Sequence, residues 1–175
     1  MRKSELTRKT ILRLAVLLLA VSAGPALAYD ANGVALGGTE DDVKRKFPSA
    51  RCQALEWKSR AADRRCDDAK IVIAGGVQAR VTFYLSRNAI QAFDVRFDTR
   101  DIDRVTDFVK KQYGAPKAET RDSIESKDKK SKRELYKARW ESGKDYAVLF
   151  SEKDKSRSSL LASRGDFEEE IYKVR

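Results

Sequence analysis

Two adjacent stretches of alternating side chains constrain the fold of this 175-residue chain more than any other feature. Apolar and polar residues alternate across 77–86, and in the stretch 89–97 they alternate again from Phe93 to Phe97. This period of two is typical of a β-strand with one buried face, because successive side chains point to opposite sides of a sheet. Arg87 and Asn88 lie between the two stretches, where a tight turn is expected. The sequence therefore predicts an antiparallel hairpin.

Amphipathic segments predict helices that cover the apolar face of this hairpin. A first helix begins after Thr39, a residue suited to the N-cap, and ends at Pro48. A second helix runs from Asp98 to Gly114, and a short terminal helix begins at Asp166. The other predicted strands are 70–74, 134–140, 146–151 and 158–163.

The two halves of the chain match each other at a single offset. A shift of 66 residues places 41–48 over 107–114, and it also aligns two strands of one half with two strands of the other. The predicted fold class is α+β: an antiparallel sheet backed by helices, built from two tandem helix-plus-three-strand halves at 29–98 and 99–175, with a short C-terminal helix. The alternative is that any protein of helices and hairpins has such spacing.

Residues 1–28 have the three parts of a cleavable secretion signal. A basic start precedes an apolar run over 14–21, and Ala26 and Ala28 are small residues at the positions that a signal peptidase reads. We expect cleavage after Ala28 and a periplasmic or secreted protein. The alternative is a retained membrane anchor, but an apolar core of about 11 residues is shorter than the roughly 20 that span a bilayer. No later segment approaches that length, so we expect no transmembrane segment after cleavage.

The net charge limits the kinds of partner that we expect. The sequence holds 37 basic and 27 acidic residues, and five basic residues and one acidic residue fall in the signal. Cleavage leaves 32 basic and 26 acidic residues, a net charge of +6. This balance favours contact with anionic lipid, lipopolysaccharide or an acidic protein surface. Because an exported protein seldom meets nucleic acid, we expect no nucleic-acid partner.

The chain has two cysteines, Cys52 and Cys66. In an oxidising compartment an isolated pair in a small domain is usually a structural disulfide. The alternatives are a redox pair or metal ligands. A separation of 14 residues is not the Cys-x-x-Cys redox spacing, and the sequence has no histidine to complete a zinc site. We expect a structural disulfide, no metal and no cofactor.

The absence of histidine also excludes the Ser-His-Asp and Cys-His catalytic arrangements. The acidic residues at 41–42 and 168–170 fall at predicted helix starts, where negative charge favours the helix dipole. The glycines at 75–76 lack the third glycine and following helix of a dinucleotide site. We therefore predict that the protein is not an enzyme, with an enzyme that uses carboxylates alone as the alternative.

The stretch Leu36-Gly37-Gly38-Thr39, followed by Val43, Phe47 and Pro48, resembles the opening of the small outer-membrane-assembly lipoproteins of the SmpA/OmlA type. The doubled arrangement resembles the beta-lactamase inhibitor protein family, whose tandem helix-plus-sheet units share that fold. This resemblance implies the tandem architecture and, by analogy of fold, an inhibitor of an exported hydrolase as an alternative function. The chain lacks the lipidated cysteine and is doubled, so a role in outer-membrane assembly does not carry over.

Two surface features are candidate binding sites. The first is a basic loop, which includes Lys129, Lys130, Lys132 and Arg133. The second is the sheet face opposite the helices, where the alternation places Arg80, Thr82, Tyr84, Ile90, Arg96, Lys137 and Arg139. The alternative for the loop is a solvent-exposed tip with no binding role. The alternative for the face is the solvent-exposed side of a sheet whose other side is covered by helices, which also needs no binding role.

These observations predict a non-catalytic periplasmic interaction protein. It is expected to bind an envelope protein or an anionic envelope component through the exposed sheet face or the basic loop. The mixture of arginine and tyrosine on the face is one that protein interfaces favour. The inhibitor of an exported hydrolase and the carboxylate-only enzyme stay open as alternatives.

Overall fold

A computed structural model of the protein describes residues 29–125 and 132–171. The predicted signal at 1–28 lies outside the described residues, as do Lys129 and Lys130 of the basic loop. The backbone of Lys132 and Arg133 begins a strand, but their side chains are not among the described ones. The predicted role of the basic loop therefore stays a prediction.

The described helices are α1 (Glu40–Lys46), α2 (Ile102–Tyr113) and α3 (Phe167–Glu170). The described strands are β1 (Asp30–Ala31), β2 (Val34–Ala35), β3 (Arg51–Ala54), β4 (Arg64–Ile73), β5 (Val77–Ser86), β6 (Ala89–Asp98), β7 (Ala118–Glu125), β8 (Lys132–Ser142), β9 (Asp145–Glu152) and β10 (Arg157–Arg164). A short 3₁₀ turn at Thr99–Asp101 leads into α2.

Eight of these strands form one antiparallel sheet in the order β3-β4-β5-β6-β10-β9-β8-β7. Its centre is the pairing of β6 with β10, in which Val95 lies opposite Leu160. The predicted hairpin of β5 and β6 is confirmed, with Val81 opposite Val95. The predicted α+β class with an antiparallel sheet is also confirmed, and strands make up the larger part of the described chain.

The prediction of three sheet strands on each side of the boundary at residue 98 is wrong, because the eight-stranded sheet takes four from each side, and β1 and β2 form a separate pair. The missed strands, β3 and β7, are the two edges of the sheet. The four residues of β3 are exposed or half-buried, and the described side chains of β7 are exposed. An edge strand that buries few side chains lacks the apolar alternation from which strands are predicted.

The main core lies between one face of the sheet and the helices α1 and α2. Val43 of α1 and Val105 and Val109 of α2 are fully buried in it. Trp140 of β8 fills the core beneath α2 and donates a hydrogen bond from Nε1 to the carbonyl oxygen of Gly114 at 2.8 Å. Burying an apolar side chain of this size stabilises a fold by about 1.5–3 kcal/mol, so these contacts hold both helices on the same face.

The predicted N-terminus of the first helix is confirmed as a capping box. The backbone nitrogen of Asp42 donates to Oγ1 of Thr39 at 3.2 Å, and the backbone nitrogen of Thr39 donates to Oδ2 of Asp42 at 2.8 Å. The Asp42 carboxylate also accepts a hydrogen bond from Oγ1 of Thr39 at 2.8 Å, and the hydrogen bonds that it accepts from the backbone and the side chain of Thr39 lower its pKa. Each partner satisfies a backbone donor that a helix start would otherwise leave unpaired.

Candidate functional site

The candidate site is the sheet face that points away from α1 and α2, which we call the outer face. Alternation along each strand decides which residues reach it. On β5 the buried Val81 and Phe83 face the helices. Arg80, which precedes Val81, and Thr82, which lies between the two, therefore face outward. The same alternation places Arg96 of β6 on the outer face. The predicted outward positions of Arg80 and Arg96 therefore agree with the structure.

Strand pairing brings basic residues from distant parts of the chain into one line across the outer face. Lys70 lies opposite Arg80, and Arg80 lies opposite Arg96. The line continues through Ser159 and Phe150 to a fourth basic residue on β8. We call the four basic members, Lys70, Arg80, Arg96 and Lys137, the basic row. It crosses six adjacent strands and spans about 24 Å, since neighbouring strands lie about 4.8 Å apart.

The basic row places like charges side by side on neighbouring strands. Like charges directly opposite each other on neighbouring strands destabilise the pairing, and the row contains two such pairs in succession. Arg96 is partly compensated by Asp94, whose Oδ2 lies 2.7 Å from the guanidinium Nε. Because Asp94 is buried, this ion pair accounts for the presence of Arg96 in the row.

Asp94 is the buried carboxyl of this face, with 8% of its surface exposed. Burial raises the pKa of Asp94, and the neighbouring Arg96 lowers it by less than burial raises it. Oδ1 of Asp94 is buried and has no hydrogen-bond partner among the described residues. The guanidinium of Arg96 thus provides the positive charge that a carboxylate at this position requires.

Beside the basic row lies a groove with a volume of about 460 Å³. Its charged and amide-bearing lining residues are Lys70, Gln78, Arg80, Arg96, Asp98 and Arg157, and we call it the basic groove. Asp98 supplies the acidic group of this lining. Arg100 holds the Asp98 carboxylate with contacts of 2.8 Å from Nη2 and 3.0 Å from Nε. These hydrogen bonds lower the pKa of Asp98 to about 2, so the carboxylate is ionised and neutralised by Arg100 at neutral pH.

One end of the outer face is covered by a second cluster of apolar side chains. Phe167 of α3 packs against Tyr84, with ring centroids 5.4 Å apart. Ile171 and Ala92 are buried in the same cluster, and Trp57 packs against it. Tyr84 was predicted as part of an exposed binding surface, but it is half-buried beneath α3. Its structural role is to anchor the C-terminal helix.

The predicted outward position of Ile90 is wrong. The pairing of β5 with β6 skips Gln91, since Tyr84 lies opposite Ala92 whereas Leu85 lies opposite Ile90. One extra residue in a strand reverses the alternation on one side of it. Ile90 is therefore fully buried in the main core.

The candidates on β8 differ in their surroundings. Lys137 is exposed and lies opposite Phe150 and Thr120. Arg139 is half-buried, with its guanidinium carbon 4.4 Å from the ring centroid of Tyr146. Of these two residues, Lys137 is the one that the strand pairings bring into one line with Arg80 and Arg96.

Sequence reasoning missed two exposed apolar side chains on the outer face. Val72 is 52% exposed and Phe150 is 40% exposed, and they are the exposed large apolar residues of the described part of the chain. Val72 lies two residues beyond Lys70 on β4, and Phe150 lies opposite Lys137. The alternation across 145–152 was a signal that could have placed Phe150 outward, because Ala147 and Leu149 are apolar.

The predicted disulfide is confirmed. Cys52 and Cys66 lie directly opposite each other on β3 and β4, and a bond joins their sulfur atoms. A carboxylate oxygen of Glu40 lies within 4.8 Å of both sulfurs. Because both sulfurs are used in the disulfide, this trio does not form a metal site. Hydrogen bonds from Arg64 and Lys44 lower the pKa of Glu40.

A larger cleft, of about 920 Å³, lies beside the start of α2. Its charged lining residues are Asp98, Arg100, Asp103, Arg121, Asp122, Glu134, Lys153 and Lys155. Tyr136 contributes a buried ring, over which the Arg121 guanidinium lies at 4.8 Å from the centroid. Acidic and basic groups are equal in number in this lining, so its charge favours neither anions nor cations.

Known protein families, curated proteins and solved structures were compared with the chain, and a function for it is argued from the geometry of the site. No family model, no curated protein and no solved structure matched the chain. Among the described residues, no helix has both the length and the apolar character needed to cross a bilayer.

Proposed function

We propose that the protein is a non-catalytic interaction protein of the periplasm or the extracellular space, and that its outer face binds an anionic component of the cell envelope. The basic row carries this proposal. Lys70, Arg80 and Arg96 stand side by side on three adjacent strands, although like charges in these positions weaken the sheet. An anionic partner can contact the three groups together, because they lie side by side on the same face of the sheet.

The surroundings of the basic row support the same proposal. Lys70, Arg80, Arg96 and Lys137 are all exposed, and α3 covers the face only around Tyr84. Arg157 adds a further exposed cation at the edge of the basic groove. The net charge of +6 expected after signal cleavage favours the approach of an anionic surface at long range. The basic loop residues Lys129, Lys130, Lys132 and Arg133 stay candidates for an additional contact.

We also propose that the chain consists of two related halves, as the offset of 66 residues predicts. The strand order supports this proposal. The first half supplies β3-β4-β5-β6 in sequence, the second supplies β7 to β10, and the last strands of the two halves pair antiparallel at the centre. The offset moves 79–86 of β5 onto 145–152, which are the bounds of β9. The basic row then crosses the junction of the halves, so a partner would contact both.

The proposal is tested by reversing charge on the outer face and, as a control, on the helix side. The test variant is Lys70→Glu/Arg80→Glu. The control is Lys46→Glu/Lys111→Glu, which changes two exposed lysines on α1 and α2 and alters the net charge by the same amount. Binding of each purified protein to isolated cell envelopes is measured by sedimentation at low and high salt.

We expect the unchanged protein and the helix-side control to bind alike, and the outer-face variant to bind at least tenfold more weakly. Binding should decline with salt, because exposed charges are screened over about 8 Å at physiological ionic strength. Equal binding by all three proteins would overturn the proposal. Thermal unfolding of each variant checks that both remain folded.

A further inference from the structure

The outer face combines two features that a partner must satisfy together. One is the basic groove, whose lining includes Lys70, Arg80, Arg96 and Arg157; Arg96 also pairs with Asp94, and the carboxylate of Asp98 in the lining is paired with Arg100. The other is the pair of exposed apolar side chains, Val72 and Phe150. We infer that this face docks on an anionic phospholipid surface, with lipid phosphates in the basic groove and both apolar side chains in the interfacial layer. The inference rests on the proposed function and names its partner.

The basic groove suits phosphate because of the residue types that line it. A guanidinium group offers a planar set of donors that binds two oxygens of one phosphate together. Three of the four cations in the groove are arginines, and they come from the neighbouring strands β5, β6 and β10. Asp98 does not repel the phosphate strongly, because two side-chain hydrogen bonds from Arg100 neutralise it.

The positions of the apolar side chains favour a surface over a small anion. Val72 lies on β4 and Phe150 on β9, four strand spacings or about 19 Å apart. The basic groove is between them, on β5, β6 and β10. A single phosphate ion could occupy the groove but would contact neither apolar side chain. A lipid layer reaches both, since it offers phosphates and apolar material over its whole extent.

The basic side chains are also suited to such a layer. Lysine and arginine bury their apolar stems along apolar material while their charged ends remain among phosphates and water. Lys137 stands next to Phe150 in the register of β8 and β9, so its ammonium group can lie at the phosphate level above the ring.

An acidic protein partner fits the face less well. Protein interfaces are enriched in aromatic anchors at their centre. The two tyrosines of this face are otherwise engaged, because Tyr84 packs under Phe167 and Tyr146 packs under Arg139. The basic groove thus has cations in its lining and an exposed apolar residue on each side, Val72 and Phe150.

The experiment measures sedimentation of the purified protein with two kinds of vesicle. One is phosphatidylcholine alone, and the other is phosphatidylcholine with phosphatidylglycerol in a three-to-one ratio. The variants are Lys70→Glu/Arg80→Glu, the apolar variant Val72→Ser/Phe150→Ser, and the helix-side control Lys46→Glu/Lys111→Glu. The milder Lys70→Gln/Arg157→Gln covers the case in which charge reversal impairs folding.

We expect binding to the anionic vesicles and not to phosphatidylcholine alone. Each basic residue near an anionic bilayer contributes about fivefold to binding. The charge-reversal variant should therefore lose more than tenfold, the milder variant about tenfold or more, and the helix-side control little. The apolar variant should bind several-fold more weakly, and the part of the binding that persists at high salt should disappear in it.

Four results would overturn the inference. If the protein ignores anionic vesicles but still binds envelopes through Lys70 and Arg80, the partner is an anionic envelope component other than phospholipid, and the proposed function survives without the lipid. If the apolar variant binds like the unchanged protein, Val72 and Phe150 do not enter the interfacial layer. If inorganic phosphate displaces the vesicles completely, the groove is a phosphate site only. If neither vesicles nor envelopes are bound, the proposed function fails as well.

Discussion

Trp57 donates a hydrogen bond from its indole Nε1 to the carbonyl oxygen of Ile171 at 3.1 Å, and this bond joins the disulfide-closed loop to the end of α3. Ser59 of the same loop donates to the carbonyl oxygen of Glu170 at 3.3 Å. The loop and the helix therefore cover one end of the outer face as a unit. The disulfide between Cys52 and Cys66 closes the base of that loop.

Reduction of the disulfide should destabilise the protein by about 3 kcal/mol, the value that the chain-entropy treatment gives for a closed loop of about 15 residues. The reason is that the reduced, unfolded chain gains conformational freedom between Cys52 and Cys66. Urea unfolding with and without reductant measures the difference. In Cys52→Ser/Cys66→Ser the reductant should have no effect, and equal stability of the oxidised and reduced unchanged protein would contradict the prediction.

Replacing Phe167 with alanine should release α3 from the outer face. Phe167 fills the cluster beneath α3 and contacts the ring of Tyr84, so its truncation removes much of what holds the helix. Truncation of a buried phenylalanine costs roughly 3–5 kcal/mol, and the small size of this cluster places the loss near the lower end. The helix should open locally while the main core remains folded.

Quenching of tryptophan fluorescence by acrylamide checks the Phe167→Ala prediction. Trp57 should become more accessible, whereas Trp140, which is only 2% exposed in the main core, provides an internal reference that stays protected. Glu168→Ala is the matched control, because Glu168 lies in the same helix but is exposed. Unchanged quenching in Phe167→Ala would show that the cluster does not hold α3.

The central part of the fold was predictable because its strands bury one face and expose the other. The alternation across 77–86 gives the bounds of β5, and the segment at 146–151 lies within β9. The edge strands β3 and β7 lacked that pattern since few of their described side chains are buried. An edge strand is held by backbone hydrogen bonds to its neighbour, and these bonds do not require alternating apolar and polar side chains.

The candidate site was predictable only in its parts. Alternation gave the outward positions of Arg80 and Arg96, but the line that they form with Lys70 and Lys137 depends on the register of six strands. The cover over Tyr84 depends on residues such as Phe167 that are distant in sequence, and no local pattern links the two. The error at Ile90 has a similar cause, because one skipped residue reverses the alternation.

The position of Ile90 gives a direct test of that register. Ile90→Ala should destabilise the protein by about 2–5 kcal/mol, because the side chain is fully buried in the main core. Val72→Ala is the matched control, since it also truncates an aliphatic strand residue but one that is 52% exposed. It should change stability by only about 0.5 kcal/mol. Urea unfolding of both variants measures the contrast, and equal losses would mean that Ile90 faces solvent.

The pairing of Asp98 with Arg100 should make a small contribution to the acid stability of the protein, because both side chains are exposed and solvent screens the pair. Hydrogen bonds from the side chain and the backbone nitrogen of Arg100 lower the pKa of Asp98 from 3.8 to about 2. A carboxyl whose pKa is lower in the folded state stabilises the fold above its ordinary pKa, and this stabilisation is lost as the pH falls. The loss should occur between about pH 4 and pH 2.

Arg100→Gln should raise the pKa of Asp98 toward its ordinary range, because the side-chain hydrogen bonds are removed while the backbone donor remains. The free energy of unfolding that the protein loses through Asp98 between about pH 4 and pH 2 should become smaller in this variant. Titration of the Asp98 carboxyl by NMR and urea unfolding from pH 5 to pH 2 measure both effects. Arg104→Gln is the control, since Arg104 pairs with Asp101 at 3.3 Å and should leave Asp98 unchanged. An Asp98 that titrates near 3.8 in the unchanged protein would contradict the geometry of this pair.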